Sequence, residues 1–431
     1  MSTRPEIAEF LKALDETQYL SPARLQAYQR RLLSRLLDHA RRETDFYAGR
    51  LDAVMRADGS IDWDRWQEVP ILTRTQAQEN FSTLCARSLP PAAGVAHEET
   101  SSGSTGRPLR HLTTDIQDLA SGCASERFFR WHGIDPGLLV ARIRGFKKEA
   151  AYPTGRRSTG WRTGNGDSEV MDLSIGTTVD RQIEWLQRVQ PRYLASYPSN
   201  LREIAREAVR RGTTLRFDAI MTTGEMLSEA ASAAIHDYFG RPPLDRYGSS
   251  ESGHISAMCP SLRHHVASEL VLLEIVDESG QTVQPGSEGR VIVTSFYNLA
   301  MPMIRYDVGD YAVLLPEPCE CGRTLPVLDK VLGRTRNVFR FVDGTSIWPV
   351  LLANDLQTFV RNRQFQVVQR TRTDIEFRFV PAAAEQANDL PGLTAYLRTK
   401  LHPSLSVTLA ATTEISRSSG GKYEDYISLV T

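Results

Sequence analysis

At 431 residues, with 41% hydrophobic and 24% charged residues, the chain has the composition of an ordinary soluble globular protein and material for two or three domains. A formal net charge of −1 argues against a nucleic-acid partner, and no apolar run approaches the ~18 residues of a membrane span. Five cysteines in so long a chain make no disulfide framework, and the start from Met1 to Glu6 leads into charged sequence without an apolar leader, so a cytoplasmic compartment is expected.

In chain order, Ser21 before Pro22 reads as an N-cap and first helical position, and Leu25, Tyr28, Leu32 and Leu36 recur at helical spacing to predict an amphipathic helix ending near Phe46. Residues 59–72, with Trp63, Trp66 and Pro70, read as a connector before a helix that starts within Leu72 to Thr75. Ser101, Ser102, Gly103, Ser104, Thr105 and Gly106 follow one another without a bulky side chain, a composition that builds a donor-lined loop able to hold phosphate. The spacing is neither the P-loop nor the dinucleotide-binding pattern, and taken alone it also fits a solvated linker.

Between about 110 and 260, helical stretches (183–189, 201–211) alternate with short apolar strands (193–196, 219–222), which predicts α/β layering on a largely parallel sheet. From Glu269 to Phe296 the pattern becomes β-rich, with strands over 270–276 and 289–295 around a turn at 278–280. The last hundred residues read as a small α+β unit: strands at 364–368, 375–380 and 407–410 and a helix at 393–401. The fold class expected is therefore α/β, a large N-terminal α/β domain (1–333) with a β-rich subdomain at about 265–333, followed by a small mobile α+β C-terminal domain (334–431).

Five further phrases follow the Ser/Gly loop in order: Thr222 to Met226, Tyr247 to Glu251, Ile304 to Asp310, Gly333 with Arg334, and Gly420 to Lys422. Together with Tyr197 to Asn200 and the stretch His39 to Tyr47, their order resembles the adenylate-forming superfamily of acyl-CoA synthetases and adenylation domains, in particular its phenylacetate–CoA ligase and coenzyme F390 synthetase branch. The resemblance covers nearly the whole chain. It implies that a carboxylic acid attacks the α-phosphorus of ATP, giving acyl-AMP and pyrophosphate, and that CoA thiol then takes the acyl group. Because this brings anion against anion, the site must neutralise charge and hold both partners in line.

On that resemblance, Ser101 to Gly106 would hold the outgoing phosphates. Arg107 stands where the family usually has lysine, which leaves its phosphate contact open. Glu251 would hold Mg²⁺, a hard cation suited to carboxylate oxygen. Gly224, Glu225, Tyr247, Gly248, Ser249 and Ser250 would frame the adenosine, and Asp310 would accept hydrogen bonds from the ribose diol. Arg305 and Asp307 fit an ion pair supporting the loop as readily as a ligand contact. Lys422 would reach the α-phosphate and carboxylate oxygens as charge builds in the transition state. Gly333 and Arg334 would mark the hinge about which the small domain turns between half-reactions, although Arg336 and Asn337 depart from the acidic pair often found there.

Cys319 and Cys321, spaced as C-x-C, supply half a tetrahedral metal site, and Cys259 with His265 (or His264) would complete a structural Zn²⁺ centre. Phe128, Trp131, Tyr152 and Tyr197 are candidates for an aromatic acyl pocket, and the basic residues of the same region (Arg142, Arg144, Lys147, Lys148, Arg156, Arg157, Arg162) fit a polar or acidic acyl group, an anionic CoA phosphate or a solvated loop. The acceptor can be CoA, a carrier-protein thiol or an amine, and a non-catalytic nucleotide binder stands as a reading of another class. Ser419 to Lys422 matches S-x-x-K, but the companion motifs of a serine acyl-enzyme hydrolase are missing. A homodimer is expected by analogy alone.

Overall fold

The computed structural model describes residues 5–101, 108–145, 150–334, 337–349, 351, 353–382, 388–418 and 421–430, with backbone alone at 330, 334, 353 and 354. Two helices open the chain, α1 (Pro5–Thr17) and α2 (Pro22–Glu43). Pro22 occupies the first turn of α2, where an N–H has no partner to lose, and Leu25, Leu33, Leu36, Leu37 and Ala40 form its buried face. The helix stops short of Phe46 because Thr44 turns extended, its hydroxyl donating to the Ala40 carbonyl at 2.8 Å.

The connector holds a single 3₁₀ stretch, Trp63–Glu68, and α3 (Arg74–Glu79) starts from a reciprocal capping box between Thr73 and Gln76. After α4 (Phe81–Leu84), strands β1 (Ala96–Thr100) and β2 (Arg110–Thr114) pair antiparallel on either side of the Ser/Gly loop, and α5 (Asp115–Trp131) follows.

The central layer runs β3 (Val140–Arg144), β4 (Arg156–Thr159), β5 (Glu169–Ser174), α6 (Val179–Val189), β6 (Tyr193–Ser196), α7 (Pro198–Arg211), β7 (Ala219–Thr223), α8 (Glu229–Phe239) and β8 (Pro243–Ser249). Strands β5, β3, β6, β7 and β8 lie parallel in that order, with β4 antiparallel at the edge. Both faces are covered, as a parallel sheet requires. Ile143, Leu194 and Ile220 pack one face against Trp185, Leu186, Leu201 and Ile204; Val140, Tyr193 and Met221 pack the other against Phe128 and Phe129 of α5.

Next come β9 (Gly253–Met258), β10 (His264–Val266), β11 (Val271–Val276), β12 (Glu288–Ser295), β13 (Tyr306–Leu314) and β14 (Val327–Arg334), all antiparallel to their neighbours. The β8–β9 hairpin splices them to the parallel strands in one twelve-stranded sheet, ordered β11-β12-β13-β14-β10-β9-β8-β7-β6-β3-β5-β4. The β-rich segment is thus the antiparallel half of a continuous sheet and opens at β9, upstream of residue 265.

The C-terminal unit comprises the hairpin β15 (Phe339–Arg340) and β16 (Ser346–Ile347), α9 (Ala353–Phe359), β17 (Asn362–Gln369), β18 (Asp374–Pro381), α10 (Leu390–Lys400), β19 (Ser406–Ala411) and β20 (Tyr426–Ser428). A four-stranded sheet, β19-β18-β17-β20, packs on its own core of Phe339, Phe341, Phe365, Phe377, Leu393 and Leu397. Among the described residues no helix is long and apolar enough to cross a membrane.

Candidate active site

Ser101 is the first residue of the Ser/Gly loop and its last described one; Ser102, Gly103, Ser104, Thr105, Gly106 and Arg107 lie outside the described residues. The Ser101 hydroxyl accepts from Leu109 N–H at 3.1 Å and from Arg74 Nη2 at 2.7 Å. Through Nη1 the same guanidinium reaches Glu251 Oε1 at 3.0 Å. Arg74 thus links Ser101 to the β8–β9 turn. Sequence reasoning missed it: the residue sits 27 positions before Ser101, inside what reads only as a helix start.

Glu251 is 5% exposed. Burial alone would raise its carboxyl, but its own backbone N–H, His111, Arg74 and the Ser250 hydroxyl together hold it below the usual carboxylate range. His111 Nε2 meets the Ser250 carbonyl at 2.9 Å and Gln117 donates to the Glu251 carbonyl at 3.3 Å, so the turn is held from β2 and α5. Ser249 accepts from Ser252 N–H at 2.9 Å, and Gly248 lies where a Cβ would strike the Gly253 carbonyl at 2.4 Å. An ionised carboxylate held among backbone and hydroxyl groups has the chemistry that suits a hard divalent cation.

One step back along β8, the Tyr247 hydroxyl donates to Asp310 Oδ2 at 2.7 Å, joining two predicted nucleotide residues 63 positions apart. Asp310 is registered opposite Arg334 on β14, immediately after Gly333 at φ +106. Arg305 and Asp307 are structural. Arg305 is fully buried and donates to the Gln67, Val69 and Gly280 carbonyls and to Glu274; Asp307 pairs with Arg290 at 2.7 Å.

Gly224 ends β7 at φ +85 in a crowded setting: a Cβ there would stand 3.1 Å from Cε1 of Tyr197 and 3.5 Å from Cε of Lys422. The lysine therefore lies against the C-terminal end of the parallel sheet, where ligands bind in open α/β sheets. A Cβ on Gly421 would meet Ile175 at 2.7 Å and Tyr197 at 3.5 Å, so the approach tolerates no side chain. Gly420 lies outside the described residues.

The Glu225 carboxylate faces the C-terminal unit. Its carboxylate accepts from Ser199 N–H at 3.1 Å and Tyr423 N–H at 2.6 Å, and stands 3.6 Å from Arg417 Nη1. It ties the Lys422 loop to the large domain. Burial raises its carboxyl, offset by Arg417 and these donors. Arg417 also reaches Ser199 at 2.9 Å, and the buried Arg202 forms a two-point pair with Asp425 at 2.8 and 3.2 Å. Burial works against the Arg202 charge, yet Asp425 holds it above the ordinary range.

The four aromatic pocket candidates do not converge. Phe128 is core under Arg246, and Trp131 stacks between Arg127 and Arg323, its edge toward His265. Tyr152 meets Glu184, Arg181 and Arg188 near the surface. Tyr197 alone stands beside Lys422. An aromatic residue near a site in sequence carries no information on which face of its element it occupies.

Cys259, His265, Cys319 and Cys321 do come together, their ligand atoms within 4.8 Å of one another. Sγ of Cys259 and Cys319 are 3.7 Å apart, near the ~3.8 Å that two thiolates share across a tetrahedral zinc at about 2.3 Å. His265 Nε2 is 3.2 Å from Cys321 Sγ, and its Nδ1 is held by the Leu325 carbonyl at 3.0 Å, the arrangement that aims the other nitrogen at a metal. Burial pushes His265 down to about 4, keeping the imidazole neutral. His264 points elsewhere, to Ser256 and Asp245.

Searched against models of protein families, the chain matches none. It is 26% identical over 350 residues to a phenylacetate-coenzyme A ligase of Thermus thermophilus, covering 78% of this chain and 75% of that protein. The crystal structure of 2-hydroxyisobutyryl-CoA ligase in the postadenylation state superposes with a TM-score of 0.75 at 19% identity, over 97% of this chain and 92% of that one. The same ligase in its thioesterification state gives 0.62 at 19% identity, over 96% and 92%. The chain is a homologue of the phenylacetate-coenzyme A ligases and carries the fold of the adenylate-forming CoA ligases.

Proposed function

We propose that the protein activates a carboxylic acid with ATP, releasing pyrophosphate, and transfers the acyl group from acyl-AMP to the thiol of CoA. The observation that carries the reading is the placement of Lys422, which comes from a separate C-terminal unit to lie against Gly224 and Tyr197 at the end of the parallel sheet. A nucleotide binder without chemistry has no use for a cation delivered to that point. In this reading Arg74 and Ser101 neutralise and orient the phosphates, Asp310, oriented by Tyr247, accepts from the ribose, and Lys422 meets the charge that develops between carboxylate and α-phosphate. Glu251 would hold the Mg²⁺ that shields ATP. ATP–pyrophosphate exchange without CoA, run over aryl, arylacetic, aliphatic and amino acids, tests it. Acid-dependent exchange is expected; a protein that binds ATP and exchanges with none of them would overturn it.

The higher likeness to the postadenylation arrangement supports a small domain that docks for adenylation and turns about Gly333 and Arg334 for transfer. Arg202–Asp425 and the Glu225 contacts are the docking bonds of the first state. Asp425→Asn, which leaves the buried Arg202 without its counter-charge, should slow acid-dependent exchange about tenfold while transfer from preformed acyl-AMP to CoA is unaffected. An equal loss in both half-reactions would remove the docking role.

Cys259, His265, Cys319 and Cys321 would hold a structural Zn²⁺ that staples the β9–β10 turn to the 319–322 turn. Metal analysis should find one zinc per chain, lost in Cys321→Ser. A site loaded ~1,000-fold above its Kd adds about 4 kcal/mol, so metal removal should lower Tm by roughly 5 °C. Protein purified without chelator or oxidant that contains no zinc would dismiss the site.

A further inference from the structure

Across four parallel strands Ile143, Ser196, Thr222 and Asp245 are in register, and the next rung is Arg144, Tyr197, Thr223 and Arg246. By strand alternation this rung projects from the face that α5 covers. Arg246 confirms the direction: its guanidinium lies over the Phe128 and Phe129 rings at 5.4 and 5.2 Å and donates to Ser125 Oγ at 3.0 Å. The rung below is Arg142, Ala195, Met221 and Leu244, the last three apolar and in the same cluster as Phe128 and Phe129, while Arg142 is held by Asp172.

Arg144 and Arg246 therefore lie over a floor that is apolar except for the Arg142–Asp172 pair at its β3 end, and among the described residues no carboxylate bonds to either. The Nε atoms of Arg144 and Arg246 are buried without a hydrogen-bond partner. Nearby carboxylates are engaged elsewhere. Asp172 is bound by Arg142 at 2.7 Å and Arg156 at 2.6 Å; Asp245 faces away to Thr222 at 2.5 Å and His264 at 3.4 Å. The buried His254 is no counter-ion either. Burial, and then Arg142, lower Arg144 against the opposing pull of Tyr197 and Asp172; burial, and then Arg144, bring Arg246 down to about 10 against that of Asp245, the direction expected of like charges held close together. The pair adjoins the reaction centre: Gly145 follows Arg144 and its N–H lies 3.5 Å from the Tyr197 hydroxyl and 3.5 Å from where a Gly421 Cβ would stand.

Like charges half-buried in this way are stabilised when a ligand anion completes them. We propose that Arg144 and Arg246 are specificity-determining residues that bind a second anionic group on the acid substrate, so that the enzyme adenylates one carboxylate of an acid whose apolar spacer carries another carboxylate or an equivalent anion. The inference rests on the adenylation reading and names its substrate class.

The test is ATP–pyrophosphate exchange without CoA, comparing 4-carboxyphenylacetate, glutarate and adipate with phenylacetate and the corresponding monomethyl esters. Wild-type protein should favour at least one dianionic acid over its monoester by at least about 100-fold in kcat/KM, since a site built for a polar group rejects the analogue lacking it. Arg144→Gln and Arg246→Gln should each narrow that ratio about tenfold or more. Exchange that runs equally well with phenylacetate and the monoesters overturns the proposal while leaving adenylation intact, and it needs no variant. An effect of the variants seen only in KM for CoA in the complete reaction overturns it too, assigning the arginines to the CoA phosphates. No exchange with either class, with ATP still bound, overturns the adenylation reading and this inference with it.

Discussion

Lys422→Ala should lower acid-dependent ATP–pyrophosphate exchange about 100- to 1,000-fold, the loss that follows removal of one preorganised donor from a developing anion. ATP binding should survive, because the residues proposed to seat the nucleotide, Arg74, Ser101, Tyr247 and Asp310, belong to the large domain. Transfer from chemically prepared acyl-AMP to CoA should run at nearly the wild-type rate. The comparison separates a transition-state role from a structural one. If the lysine only buttressed the docked domain through its packing on Gly224 and Tyr197, then Lys422→Met, which keeps the stem and removes the charge, would retain exchange. Unchanged exchange in both variants would end the assignment.

Glu251→Gln should cost a similar factor, about 100-fold in kcat/KM for ATP, by a different route. The amide keeps the shape but leaves Arg74 facing a neutral group and cannot supply a carboxylate to a divalent cation. The magnesium concentration needed for half-maximal exchange should rise in parallel, a shift that Lys422→Ala should not produce. Equal magnesium dependence in wild type and Glu251→Gln would place the cation elsewhere.

Much of this site could be read from the chain because its chemistry is local in sequence. The end of β8 and the turn after it carry Tyr247 and Glu251 within five residues, and the C-x-C spacing of Cys319 and Cys321 survives folding as half a cluster. Strand and helix positions were equally legible where apolar periodicity was strong, as in β6, β7, β17 and β18. What escaped depends on non-local pairing. Nothing near Arg74 signals that it faces Ser101 and Glu251. Glu225 sits in a nucleotide motif, yet its carboxylate is held by Tyr423, 198 positions away. The continuity of parallel and antiparallel strands rests on the single β8–β9 hairpin, which no composition change announces. β20 is three residues long and gains strand geometry only by joining β17.

Arg305 lies outside every proposed ligand contact, yet one side chain gathers the Gln67, Val69 and Gly280 carbonyls with Glu274, while its backbone carbonyl accepts from Leu72 N–H at 2.9 Å. Asp307 N–H returns the bond to the Leu72 carbonyl at 3.0 Å, two residues before Arg74. The aim of Arg74 is therefore set by a rivet beneath it. In a map of tolerance to substitution, the stretch from 67 to 73 and position 305 should stand out as a second intolerant zone, as sensitive as the nucleotide motifs though none of these residues is proposed to touch a substrate.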